Sequence, residues 1–154
     1  MIQLRFVTGS DITSRAIADW QRDGWATHVE AVLSDGSLLG AHLEGGVAIR
    51  PKGYDAATMT RELYVDLVAS PAVTEAFYDF MHAQVGKPYD VTAIAGLIAG
   101  RNWREDDSWI CSELVTAGAE ISDFIPKLSS SVNHVTPRDD LLIFSALVFI
   151  PDAA

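Results

Sequence analysis

The chain has one cysteine, Cys111, in 154 residues, so no disulfide can form within it and the thiol must serve another purpose. Three uses stay open: a small buried hydrophobe, a metal ligand or a reactive group. Basic residues are also few, 11 Lys and Arg against 21 Asp and Glu, for a formal charge of -10. That balance repels phosphate backbones, so no nucleic-acid partner is expected. No apolar run reaches the roughly 18 residues of a membrane-spanning helix; the longest, over 141–151, is broken by Ser145 and closes on Pro151. No integral membrane span is expected. The first residues are too short and interrupted an apolar stretch for an export signal, which reads as a cytoplasmic chain, or a phage-associated one delivered by another machine. Paired cysteines and His-Glu-x-x-His are missing, and Gly45-Gly46 lacks both a following Lys-Ser/Thr and a helix. On spacing alone, no metal site, nucleotide site or cofactor is expected.

What is present is enough apolar material, 49% of the residues, for one globular domain over 1–154 with a real core. Loose alternation over 2–7 predicts a first strand, and Ser10 or Asp11 then caps a helix running to Trp20. Two apolar runs, 28–33 and 38–43, flank Asp35-Gly36 and predict a β-hairpin. A further strand over 47–49 ends at Pro51, and another is expected over 62–68. Ser70-Pro71 followed by Val73, Ala76, Phe77, Phe80 and Met81 at helical spacing predicts a helix. A short apolar helix over 91–99 and a polar loop over 101–107 come next. Ser108 or the acids before it cap a helix over 110–121 that carries Cys111 in its first turn. Residues 136–140 read as a turn or short helix before a terminal strand. The fold class is α+β.

A thiol in the first turn of a helix sits beside unpaired backbone N–H groups and the positive end of the dipole, both of which favour the thiolate. The same N–H groups can receive an oxyanion. The competing reading is a buried structural cysteine, because free cysteine is among the most buried residue types. His28 opens a strand, where a rigidly held imidazole can take a thiol proton, and it can equally be a structural histidine. Among the other histidines, His82 and His134 read as solvated or structural, whereas His42 lies across the hairpin from the first candidate.

Taken together, Thr27-His28-Val29, the Asp35-Gly36 hairpin, Gly45-Gly46-Val47 with Pro51, Gly86-Lys87-Pro88-Tyr89-Asp90 and Cys111-Ser112-Glu113-Leu114-Val115 resemble a known family. They look like the YiiX/YebB-like branch of the NlpC-type papain-like cysteine hydrolases. In that branch the histidine strand precedes the cysteine helix, a circular permutation of the papain-like order. The resemblance spans about residues 25–142. It implies a small antiparallel sheet or half-barrel packed against helices including the cysteine helix, and hydrolysis of an amide through a thioester. Cys111 would be the nucleophile and His28 the base, then the acid. Tyr89 would aid the oxyanion or else be a core tyrosine. The family's third polar residue stands across the hairpin from the histidine, where this chain has Gly40; His42 can substitute if the register allows, Glu44 shares its parity closer to the turn, Glu30 is a weaker candidate, and a water or backbone carbonyl can also do the job. Trp109, Asp90 and Glu44 are the expected substrate contacts, Trp109 being equally readable as helix packing. The implied substrate is a peptide or peptidoglycan fragment. A lipid-like acyl or thioester substrate, and a catalytically weak binding module, are the alternatives.

Overall fold

The computed structural model describes residues 1–21, 24–92, 107–129 and 131–148. The expected helix over 91–99 and the loop over 101–107 fall almost wholly outside these. The fold is α+β: among the described residues, one antiparallel sheet of five strands and four α-helices. The strands are β1 (Ile2–Gly9), β2 (His28–Val32), β3 (Leu38–His42), β4 (Gly46–Arg50) and β5 (Met59–Leu67), in the order β4-β3-β2-β1-β5. The middle strand, β2, begins at His28. It is paired on both sides, to β1 through Val7↔His28 and Arg5↔Glu30, and to β3 through Ala31↔Leu39.

Strand alternation divides the sheet. Leu4, Phe6, Val29, Ala31, Leu39, Ala41, Val65 and Leu67 join the apolar core with Phe77, Met81, Leu114 and Val115. Arg5, Glu30 and His28 have the opposite parity. Fully burying one such Leu or Phe contributes about 1.5–3 kcal/mol, so the register that points these residues inward also fixes where the polar set stands.

The helices are α1 (Ile12–Gln21), α2 (Pro71–Ala83), α3 (Cys111–Ile121) and α4 (Pro137–Ala146). Asp11 starts α1 by accepting the Ser14 N–H at 2.9 Å. Ser70 starts α2 by accepting the Val73 N–H, with Pro71 in the first turn. Two expectations are corrected. Where a terminal strand is expected, the described chain is helical over Pro137–Ala146: Thr136 and Asp139 form a reciprocal capping box, Pro137 follows the cap, and Pro137, Asp140 and Phe144 bury at helical spacing. The cysteine helix is not capped by Ser108 or an acid; its N-cap is Ile110, in extended conformation and with no side-chain hydrogen bond. No helix among the described residues is long and apolar enough to cross a membrane.

Candidate active site

Cys111 is the first residue of α3 and is 4% exposed. The N-cap, Ile110, makes no side-chain hydrogen bond to that turn. The N–H groups of Ser112 and Val29 and the His28 imidazole all act on the sulfur electrostatically in favour of the thiolate. One sulfur thus ties the helix start to the middle strand. Burial alone would raise the thiol's pKa; the positive imidazole and these donors outweigh burial and lower it. Burial works against charge on His28 too, but the Cys111 thiolate and Glu30 push the imidazole up to about 10. The two shifts describe a thiolate–imidazolium pair.

Glu30 holds the imidazole from the other side, its Oε2 lying 3.4 Å from His28 Nε2. The carboxylate is itself wholly buried and anchored: Arg5 donates to its Oε1 at 2.7 Å, while the same guanidinium reaches Asp55 at 3.0 Å and Glu62 at 2.9 Å. Burial would raise the Glu30 pKa, yet His28, Arg5 and His42 together bring it down to about 2. The row Cys111–His28–Glu30–Arg5 is therefore a line of alternating charge, hydrogen-bonded from His28 through Glu30 to Arg5.

Gly40 explains how Glu30 fits. The β2–β3 register, continued toward the strand ends, sets Glu30 opposite Gly40 and His28 opposite His42. A Cβ on Gly40 would lie 2.9 Å from the Glu30 Cβ and 3.6 Å from His28 Nε2. Glycine there makes room for the carboxylate that stands beside the histidine. His42, the expected substitute, is close instead in a different way. Its ring centroid is 4.7 Å from that of His28, and its Nε2 is 3.6 Å from Glu30 Oε2. Burial, the positive His28 and Arg50 keep His42 neutral, down to about 3, with Glu30 opposing them. Tyr54 bridges the two, its hydroxyl 3.3 Å from Glu30 Oε2 and 3.4 Å from His42 Nδ1. His28, Glu30 and His42 also form a group whose potential ligand atoms lie within 4.8 Å of one another, a juxtaposition that the sequence spacing did not disclose.

Tyr89 is half-buried beside the thiol. Burial and the charges of Cys111 and Asp90 raise its pKa, so its hydroxyl keeps its proton and is a donor. A short parallel bridge, Tyr89↔Trp109, holds it there. Gly46 allows the approach: with φ at +66° it lets Val47 N–H meet the Lys87 carbonyl at 2.9 Å, where a Cβ would sit 2.2 Å from that oxygen. The expected substrate contacts divide. Glu44 is exposed and lines the cleft. Asp90 is 0% exposed and accepts from the Thr92 hydroxyl at 2.8 Å. Trp109 is 8% exposed, donates to Gln84 at 3.1 Å and meets Phe80 edge-on. Neither lines the cleft; both pack the loops behind the cysteine. His82 and His134 are exposed, and neither lines the cleft.

A cleft of about 450 Å³ opens on His28, His42 and Tyr89, with Asp11, Glu44 and Arg50 among its walls. Sequence reasoning missed Arg5 and Tyr54. Arg5 had a signal, a charged residue inside a strand whose other inner positions are apolar; Tyr54 lies in an irregular segment and had none. No family model matches the chain, and no curated protein matches it.

Proposed function

We propose that the protein is a cysteine-dependent hydrolase of amide bonds, of the permuted papain-like kind. The observation that carries this is Cys111 in the first turn of α3, electrostatically coupled to a His28 that Glu30 holds at 3.4 Å. The histidine strand preceding the cysteine helix, and that helix packed on an antiparallel sheet, support the permuted fold. In the reaction the Cys111 thiolate attacks the carbonyl carbon, forming a C–S bond and an oxyanion. The first-turn N–H groups and the Tyr89 hydroxyl are the donors for that oxyanion. The His28 imidazolium gives its proton to the leaving nitrogen as the C–N bond breaks, which leaves a thioester. Neutral His28 then takes a proton from water, hydroxide attacks the thioester, and the thiolate departs with the imidazolium restored. Glu30 positions the imidazole and touches no reacting atom. The charged and hydroxylated cleft wall favours a peptide or peptidoglycan fragment over a lipid acyl chain.

The test is the pH dependence of Cys111 alkylation by iodoacetamide, in wild type and His28→Ala. Wild type reacts well below the ordinary thiol range of about 8.5, and His28→Ala slows the reaction near pH 6 by roughly tenfold or more. A thiol that titrates normally and ignores His28 would sink this reading and leave a binding module.

A further inference from the structure

The proton arrangement around Glu30 is incomplete at one point. Ionised Glu30, held by Arg5 at 2.7 Å, can only accept hydrogen bonds. The Tyr54 hydroxyl has one proton, and the carboxylate 3.3 Å away takes it. His42 Nδ1, 3.4 Å from the same hydroxyl oxygen, must then be the donor to Tyr54. A neutral imidazole with its proton on Nδ1 has its lone pair on Nε2. That atom is buried, in a residue only 9% exposed, has no hydrogen-bond partner and lies 3.6 Å from the Glu30 carboxylate oxygen. Two lone pairs thus face one another across a buried gap, an arrangement that disfavours the empty site and favours a cation between them.

His28 supplies a third donor atom. Its Nε2 is 3.4 Å from the same Glu30 oxygen. Tetrahedral zinc with bonds near 2.0–2.1 Å separates its ligands by about 3.4 Å, so two of the three edges already have that length. The third, between the histidines, is within 4.8 Å. The partners behind the ligands are in place as well: Arg5 fixes the far oxygen of Glu30, and Tyr54 fixes the tautomer of His42. The fourth position faces the cleft, which both histidines line.

We propose that His28, Glu30 and His42 form a binding site for one transition-metal dication of the zinc type, with two imidazoles, one carboxylate and an open position. Occupancy and acid–base chemistry at His28 exclude one another. A metal on Nε2 leaves the imidazole's one proton on Nδ1, so that nitrogen has no lone pair for a thiol or water proton. This regulatory consequence rests on the reading of Cys111 and His28 as the reacting pair, whereas the metal site itself does not.

The experiment is titration of the full chain with Co²⁺ alone under a non-thiol reductant, followed by its visible spectrum, with Zn²⁺ added afterwards. Wild type is expected to bind one Co²⁺ with the intense visible bands of low-coordinate geometry, and Zn²⁺ displaces it. His42→Ala abolishes those bands. Tyr54→Phe, which keeps the three ligands and a phenyl ring in the same space, weakens binding by about tenfold or more. Cys111→Ser binds as wild type does. No Co²⁺ binding by wild type overturns the proposal, as does binding that Tyr54→Phe and His42→Ala both leave intact. A thiolate charge-transfer band that disappears in Cys111→Ser also overturns it, since the ligand would then be the sulfur. Failure of the thiol reading would appear in the alkylation profile and leave the Co²⁺ titration unchanged.

Discussion

Glu30 on the middle strand and Asp140 in the first turn of α4 are both 0% exposed, but their surroundings differ. Glu30 has a guanidinium at 2.7 Å and two imidazoles within 3.6 Å. Asp140 has the Thr116 hydroxyl at 2.5 Å, while its other oxygen has no hydrogen-bond partner. Burial pushes both pKa values up, and only Glu30 has the cations to reverse it; it falls to about 2, whereas Asp140 stays well above the ordinary carboxyl range. Negative charge is therefore held on the histidine side of the thiol and suppressed on the α4 side. Depth does not decide the charge of a buried acid; the partners do.

The largest expected effect comes from making Glu30 resemble Asp140 by taking its cation away. Arg5→Met leaves Glu30 buried beside Asp55 and Glu62 without the guanidinium that joins all three. The expected loss is about 3–5 kcal/mol, read from urea unfolding at neutral pH. A loss below about 1 kcal/mol would mean that water reaches the cluster and that the contrast with Asp140 is overstated.

Glu30→Gln removes the charge and keeps the shape. In wild type the Glu30 pKa is depressed from 4.5 to about 2, so its contribution to stability is fully present above pH 4.5 and is lost as pH falls toward 2. The size is on the order of 3 kcal/mol. The variant should lack that acid limb. It should also move the alkylation profile of Cys111 to higher pH, because His28 loses a group that raises its pKa. An unchanged profile beside a lost acid limb would make Glu30 structural only.

Much of this contrast was open to sequence reasoning, in unequal measure. The hairpin that carries His28 and the α2 helix announced by Ser70-Pro71 follow from local rules, since capping, turn chemistry and periodicity are written in neighbouring residues, whereas the cysteine helix was legible from its periodicity and not from its cap. The third residue of the site was hidden because its signal is an absence: Gly40 reads as a lost side chain until the register shows Glu30 filling its space. Arg5 and Tyr54 reach the site through pairings with distant strands and loops that no local pattern encodes. The terminal helix was misread because 141–151 is apolar on several sides; Leu142 and Leu147 are exposed in the fold, so composition suggested a buried strand where the Thr136–Asp139 capping box dictates a helix.

The smallest expected effect sharpens the comparison from the other side. Asp140→Asn replaces a carboxyl that the fold already keeps neutral, so folded-state packing changes little. The pH sign separates it from Glu30. A raised pKa means that the folded chain binds a proton which the unfolded chain releases above about 3.8, so wild-type stability declines as pH rises from there toward the folded pKa. Asparagine has no such decline. Asp140→Asn should match wild type near pH 4 and exceed it at neutral pH, with the gap widening as pH rises toward the folded pKa, as read from thermal or urea unfolding at several pH values. A variant less stable than wild type at neutral pH would mean that Asp140 is charged there and served by a partner, as Glu30 is, and the two buried acids would then be alike.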